Sequence, residues 1–278
     1  MKLFYKKLGS GKPLVILHGL YGSSDNWMTI GRKLADDFEI YLVDQRNHGR
    51  SPHADRHDYE SMSNDLLDFM DDANLKRVVL AGHSMGGKTA MCFANQFPGR
   101  VESLIVVDIA PKSYKEAYRR EALSHYDILK AMQDIDFSGV SRRRDVDRML
   151  ARSVGNERIR SFLTKNLGKG EDNKYRWTIN LDVLLRELDN IMDGINEKCF
   201  DPASPLKDLP VLFLKGGKSP YILESDMEFI KQIFPQARLE TIPGSGHWLH
   251  AEQPEAFAGA VKKFIKSIPP QTGPPDPE

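Results

Sequence analysis

Short unbroken apolar runs alternate with longer amphipathic stretches over the first part of the chain. Leu14-Val15-Ile16-Leu17, Ile40-Tyr41-Leu42-Val43, Val78-Val79-Leu80-Ala81 and Leu104-Ile105-Val106-Val107 each end in glycine or polar residues. Runs of this length without polar alternation mark strands covered on both faces. An edge strand over 2–8, closed by Gly9-Ser10-Gly11, precedes them. Helical stretches at 26–34, 60–73 and 85–96 lie between the runs; Asp25 caps the first and Pro98 stops the third. Strands and helices alternating at this spacing predict an α/β fold with a doubly wound, mostly parallel sheet.

The pattern changes after residue 111. Residues 112–205 lack short apolar runs and show helical periodicity, clearest over 117–132 and 177–191. The strand-helix rhythm returns with a strand over 210–214, a helix over 224–234, a strand over 238–242 and a helix over 254–267. The expected organisation is therefore a core of residues 1–111 and 206–268, interrupted by a helical cap at 112–205. The tail, 269–278, is rich in proline and is expected to be disordered.

The run ending at Ala81 leads directly into Gly82-His83-Ser84-Met85-Gly86-Gly87 and then a helical stretch. A Gly-x-Ser-x-Gly between strand and helix is a nucleophile elbow: the tight turn lifts the serine hydroxyl clear of the sheet at the positive end of a helix dipole. A serine hydroxyl needs a base within hydrogen-bond reach. His247, in the loop Pro243-Gly244-Ser245-Gly246-His247-Trp248 after the last strand, is the candidate. His53, His57 and His125 read as structural or surface histidines. His250 has no third metal ligand at supporting spacing, so no metal is expected.

Composition narrows the partners. Lys+Arg 39 balance Asp+Glu 39 over 278 residues, which gives no global basic field for nucleic acid or an anionic membrane. No apolar run approaches the length of a membrane span. Two lysines stand where a signal peptide would need its apolar stretch. Two cysteines, Cys92 and Cys199, make no disulfide framework, and Cys92 reads as a small buried apolar residue. A cytoplasmic protein in a reducing compartment is expected, of undetermined oligomeric state.

Four motifs in order, His18-Gly19, Asp44-x-Arg46-x-His48-Gly49-x-Ser51, the elbow and Gly246-His247, resemble the α/β-hydrolase superfamily. The fuller strings around them are similar to a branch of small bacterial carboxylesterases and thioesterases with mitochondrial abhydrolase-domain relatives. The resemblance implies cleavage of a small-molecule acyl ester or thioester through an acyl-enzyme on Ser84, with His247 as base and no cofactor. In most members an Asp follows the penultimate strand; here that slot holds Ser219, after Gly216-Gly217-Lys218. Asp108 ends the strand following the elbow strand, a position from which some members take their acid, and is assigned that role; Asp182 is the competitor. The oxyanion donors implied are the backbone N–H groups of Met85 and Leu20. Tyr21, Trp27, Trp177 and Trp248 are candidates for the acyl pocket. A receptor-like ligand-binding or partner protein on a hydrolase scaffold stays open as an alternative, as does perhydrolase or acyltransferase chemistry.

Overall fold

The computed structural model describes residues 1–118, 124–195, 199–200 and 204–269. Among the described residues there are nine strands: β1 (Tyr5–Leu8), β2 (Lys12–Leu17), β3 (Phe38–Val43), β4 (Val78–His83), β5 (Val101–Val107), β6 (Leu167–Lys169), β7 (Tyr175–Trp177), β8 (Val211–Gly216) and β9 (Ala237–Ile242). Seven form one sheet in the order β1-β3-β2-β4-β5-β8-β9. β1 pairs antiparallel with β3 and every other neighbouring pair is parallel. The strand order reverses around β2 and β4, and in such sheets the crevice beyond the carboxyl ends of the strands at the reversal is the ligand-binding place.

The alternation of side chains along a strand divides the core in two. Leu14 and Ile16 of β2 join a cluster with Ile30, Leu34, Phe257 and Val261 on one face. Val15 and Leu17 join Met62, Leu66, Met91 and Phe93 on the other. The first face is covered by α1 (Met28–Leu34) and, from the end of the chain, a long helix over 254–266; the second by α2 (Tyr59–Asp72) and α3 (Met85–Gln96). Asp58 caps α2 by accepting from Ser61 N.

Among the described residues between β5 and β8, none forms a strand of the main sheet. That segment carries α4 (Lys115–Tyr118), α5 (His125–Gln133), α6 (Arg143–Leu150), α7 (Glu157–Leu163), the β6-β7 hairpin, α8 (Leu181–Arg186) and α9 (Leu188–Met192). After β8 come α10 (Asp226–Ile233), α11 (Leu249–Glu252) and α12 (Pro254–Lys266).

Two helices expected from periodicity are divided. The 117–132 stretch is not one described helix: α4 ends at Tyr118, 119–123 lie outside the described residues, and Ser124 starts α5 with a capping box to Asp127. The 177–191 stretch begins as a strand, because Tyr175-Arg176-Trp177 pairs with β6; Asn180 then caps α8, and the chain breaks again at Glu187. Of the tail, 270–278 lie outside the described residues. Among the described residues no helix is long and apolar enough to cross a membrane.

The cysteines are a correction. Cys92 on α3 and Cys199 are joined in a disulfide across 107 positions, with Cα atoms 4.5 Å apart. Cys92 is buried as expected, but it is bonded rather than free.

Candidate active site

Ser84 sits between β4 and α3 with φ 51° and ψ −118°. The positive φ is costly for a residue with a side chain and persists only where the surroundings over-determine it. Here packing supplies the constraint: a Cβ on Gly82 would lie 2.1 Å from Gly86 O, and one on Gly86 would lie 2.5 Å from His18 O. Both glycines of the motif are thus required by close backbone approach. Ser84 N donates to Val107 O at 3.0 Å, tying the turn to the end of β5.

The next residue on from that end is Asp108, also at positive φ (52°) and fully buried. Its Oδ1 accepts from Gly216 N at 2.9 Å, its Oδ2 meets His247 Nδ1 at 2.8 Å, and Ser219 Oγ donates to the same Oδ2. The carboxylate therefore reaches from β5 across the end of β8 to the loop after β9. Asp182, the competing acid, is exposed on α8 and accepts from Gln133 Nε2 at 2.5 Å, away from His247.

His247 is held on three further sides. The Tyr221 ring stacks on it with centroids 4.0 Å apart and planes at 17°. The His83 ring lies 4.6 Å away, and His83 Nε2 donates to His247 O at 2.8 Å. Burial, with His247 and His250 close by, holds His83 well below its ordinary pKa, so it is a neutral donor. Gly246 N donates to Glu252 Oε2 at 2.9 Å, and Glu252 in turn pairs with Arg158 of α7 at 3.0 Å. Ser84 Oγ makes no hydrogen bond to His247; both line one cavity of about 210 Å³, and such contacts commonly tighten only when substrate is present.

Leu20 and Met85 line the same cavity. Gly22 N donates to Gly19 O at 2.9 Å, which turns the loop after β2 toward the elbow. Met85 opens α3, where a backbone N–H has no intrahelical acceptor. Among the described residues no protein acceptor takes the N–H of Leu20 or of Met85.

Of the four aromatic pocket candidates, Tyr21 and Trp248 line the cavity and Trp27 and Trp177 do not. Trp27 is 1% exposed and stacks on His250 at 4.0 Å and 9°, so it belongs to the core beneath the site. Trp177 ends β7 and donates from Nε1 to Met132 O at 2.8 Å within the inserted segment. His250 therefore faces Trp27 rather than a shared metal site with His247. Among the described residues there is no group of three or more His, Cys, Asp or Glu placed to hold a metal ion.

The sequence reading gave no site role to His83, Lys88, Tyr59, Tyr114, His125 or Tyr221, all of which line the cavity. The signal for His83 and Lys88 was their place on the elbow and the first turn of α3. Nothing local marks the other four. His125, expected to be structural or at the surface, opens α5 and its Nδ1 lies 3.1 Å from Tyr21 Oη. The Asp44–Ser51 motif pins loops: Asp44 accepts from Ser24 N and Arg50 N, and Arg46 meets Asp65 with two nitrogens at 2.5 and 2.9 Å.

A family model described as alpha/beta hydrolase fold matches residues 12–254. The chain belongs to the α/β-hydrolase family. It is similar to an sn-1-specific diacylglycerol lipase, ABHD11, of Xenopus laevis: 39% identity over 92% of this chain and 80% of that protein. It is similar to the esterase YbfF of Escherichia coli K12, with 35% identity over 92% of this chain and 94% of YbfF. Among solved structures, a marine microorganism esterase shares 48% identity with a TM-score of 0.87, covering 95% of this chain and 99% of that one. In this α/β-hydrolase the reversal of strand order brings the loops after β2 and β4 together, and the loops after β5 and β9 meet them from the other side.

Proposed function

We propose that this chain is a serine hydrolase of carboxylic esters, acting through an acyl-enzyme on Ser84. Ester hydrolysis is the activity in the names of its most similar relatives, and one observation supports this chemistry above the others. A buried carboxylate, Asp108, meets Nδ1 of a histidine whose ring lines the same cavity as a serine in a strained strand-to-helix turn.

Ser84 Oγ attacks the acyl carbonyl while His247 Nε2 takes its proton. The negative oxygen that develops is met by the N–H groups of Met85 and Leu20, each contributing about 3 kcal/mol of barrier lowering in comparable sites. Asp108 fixes the tautomer of His247 through Nδ1 and stabilises the imidazolium. As the tetrahedral adduct collapses, the carbon–oxygen bond to the alcohol breaks and His247 returns its proton to the leaving oxygen. Water then attacks the acyl-enzyme, deprotonated by the same histidine, and the second collapse frees the acid and Ser84. The segment between β5 and β8 is a cap on this site: Ile128 of α5, Ile159, Phe162 and Leu163 of α7, and Ile191 and Met192 of α9 line the cavity. Their apolar surface suits the acyl chain.

The test is labelling by a fluorophosphonate probe together with turnover of p-nitrophenyl acetate. Stoichiometric labelling that disappears in Ser84→Ala, with multiple turnovers by the unsubstituted protein, is expected. Labelling without turnover would favour a ligand-binding role.

A further inference from the structure

Lys88 lies one helical turn beyond Ser84 on α3, its backbone N–H donating to Ser84 O at 3.1 Å, and its side chain is 2% exposed. It nevertheless lines the cavity. Its ammonium donates to the carbonyl oxygens of Met192, at 3.4 Å, and Asp193. It faces the rings of Tyr114 and Tyr59, 4.9 and 5.8 Å from the centroids. Among the described residues no carboxylate forms an ion pair with it. The Asp193 carboxylate is turned to Lys115 Nζ at 2.6 Å and to Gly194 N at 2.8 Å. The hydroxyls of the two tyrosines are committed elsewhere, Tyr59 to Ile191 O and Tyr114 to Tyr221 O, both at 2.5 Å.

A buried cation with no hydrogen-bonded carboxylate, on which the Asp193 charge acts only through space, is costly. An ammonium carries three N–H donors, and the two backbone carbonyls leave one for the cavity. Burial pulls the pKa of Lys88 down to about 7, so an anion arriving beside it restores its charge. Besides the polar groups of Tyr21, His125, Tyr221, Trp248 and the His83–His247 pair, the wall is apolar, formed by Ile109, Ile128, Phe162, Leu163 and Met192. The ammonium lies between the two tyrosine rings and the end of α9, on a residue that lines the cavity Ser84 also lines.

We propose that Lys88 is a specificity-determining residue that receives a carboxylate at the far end of the acyl group, so that the enzyme accepts monoesters of short dicarboxylic acids. The cavity of about 210 Å³ lined by both Ser84 and Lys88 has room for only a short carbon chain between that carboxylate and the scissile carbonyl. The proposal rests on the cavity beside Ser84 being the acyl site. A clamp on the C-terminal carbonyls of α9 is the competing role for the same side chain.

Two measurements decide between them. The first needs no turnover: calorimetric binding of succinate and valerate to Ser84→Ala protein, and to the same protein carrying Lys88→Met. Succinate binding more tightly than valerate, with that order lost or reversed by Lys88→Met, is expected. The second is the ratio of kcat/KM for monoethyl succinate to that for ethyl valerate. The expected ratio is at least one in the unsubstituted enzyme, falling by tenfold or more in Lys88→Met. A Lys88→Met protein that lowers both esters equally would make the residue a clamp and overturn the proposal. So would an unsubstituted enzyme that rejects monoethyl succinate a hundredfold, a result that stands even if Lys88→Met does not fold. Failure to hydrolyse either ester would count against the catalytic assignment alone, while succinate binding still decides the role of Lys88.

Discussion

Ser219 and His247 converge on one oxygen of a single buried carboxylate: Ser219 Oγ donates to Oδ2 of Asp108, and His247 Nδ1 lies 2.8 Å from it. Ser219 thus hydrogen-bonds the carboxylate that we propose as the acid, one residue beyond the end of β5. Asp108→Asn leaves the shape but presents the wrong partner to His247, and kcat for p-nitrophenyl acetate is expected to fall by about 10⁴. Ser219→Ala removes one charge-assisted hydrogen bond of about 1.5–3 kcal/mol, so kcat falls by roughly 10- to 100-fold. Equal losses in the two variants would make Ser219 an equal partner in orienting the histidine.

The elbow tolerates no methyl group at Gly86. A Cβ there would lie 2.5 Å from His18 O and 2.6 Å from Leu17 O, both backbone atoms at the end of β2. Gly86→Ala should push α3 away from β2, lose about 1–3 kcal/mol of stability and abolish turnover. Urea unfolding monitored beside activity checks this; an active, equally stable variant would show that the close approach is dispensable.

Reduction of the disulfide should destabilise the fold. The bond closes a loop across 107 positions. In the chain-entropy picture such a loop is worth about 4–5 kcal/mol, which corresponds to a fall in Tm on the order of 10 °C. Differential scanning calorimetry with and without a phosphine reductant, and of Cys199→Ser, reads it out. An unchanged Tm on full reduction would mean the packing of Cys199 alone holds that end of the inserted segment.

Stability should fall steeply below neutrality. His18, His48, His57, His83 and His250 are all buried, and burial lowers the pKa of each: to about 4 for His18, and to about 3 for His48 and His250. The unfolded chain titrates them near 6.5, so between 6.5 and the folded values it binds more protons than the native state. Stability present at pH 7 is therefore lost as pH falls from 6.5 toward 4, at about 1.4 kcal/mol per pH unit for each such histidine. Urea titrations at pH 7, 6 and 5 measure the slope. A slope of less than one proton would mean that the buried histidines are charged in the native state.

Local pattern made much of the sheet legible. The apolar runs became β2, β3, β4, β5 and β8 because parallel strands buried on both faces have no polar face to break the run. The inserted segment was less legible. Its helices are short and set by caps such as Ser124 and Asn180, while Tyr175–Trp177 is a strand only because Leu167–Lys169 lies opposite.

The sequence by itself determined the turn at Ser84 and the loops holding Leu20, Asp108 and His247, because glycine spacing and strand ends are local demands on the backbone. Only the tertiary structure decided what those loops bring together. His247 lies 139 positions from the carboxylate it meets and Ser219 lies 111, so neither contact has a local trace. The same holds for the stacking of Tyr221, the bond between Cys92 and Cys199, and the removal of Trp27 and Trp177 from the cavity. Each follows from the order of strands in the sheet and the path of the segment laid over it, which fix neighbours across distances that periodicity cannot span.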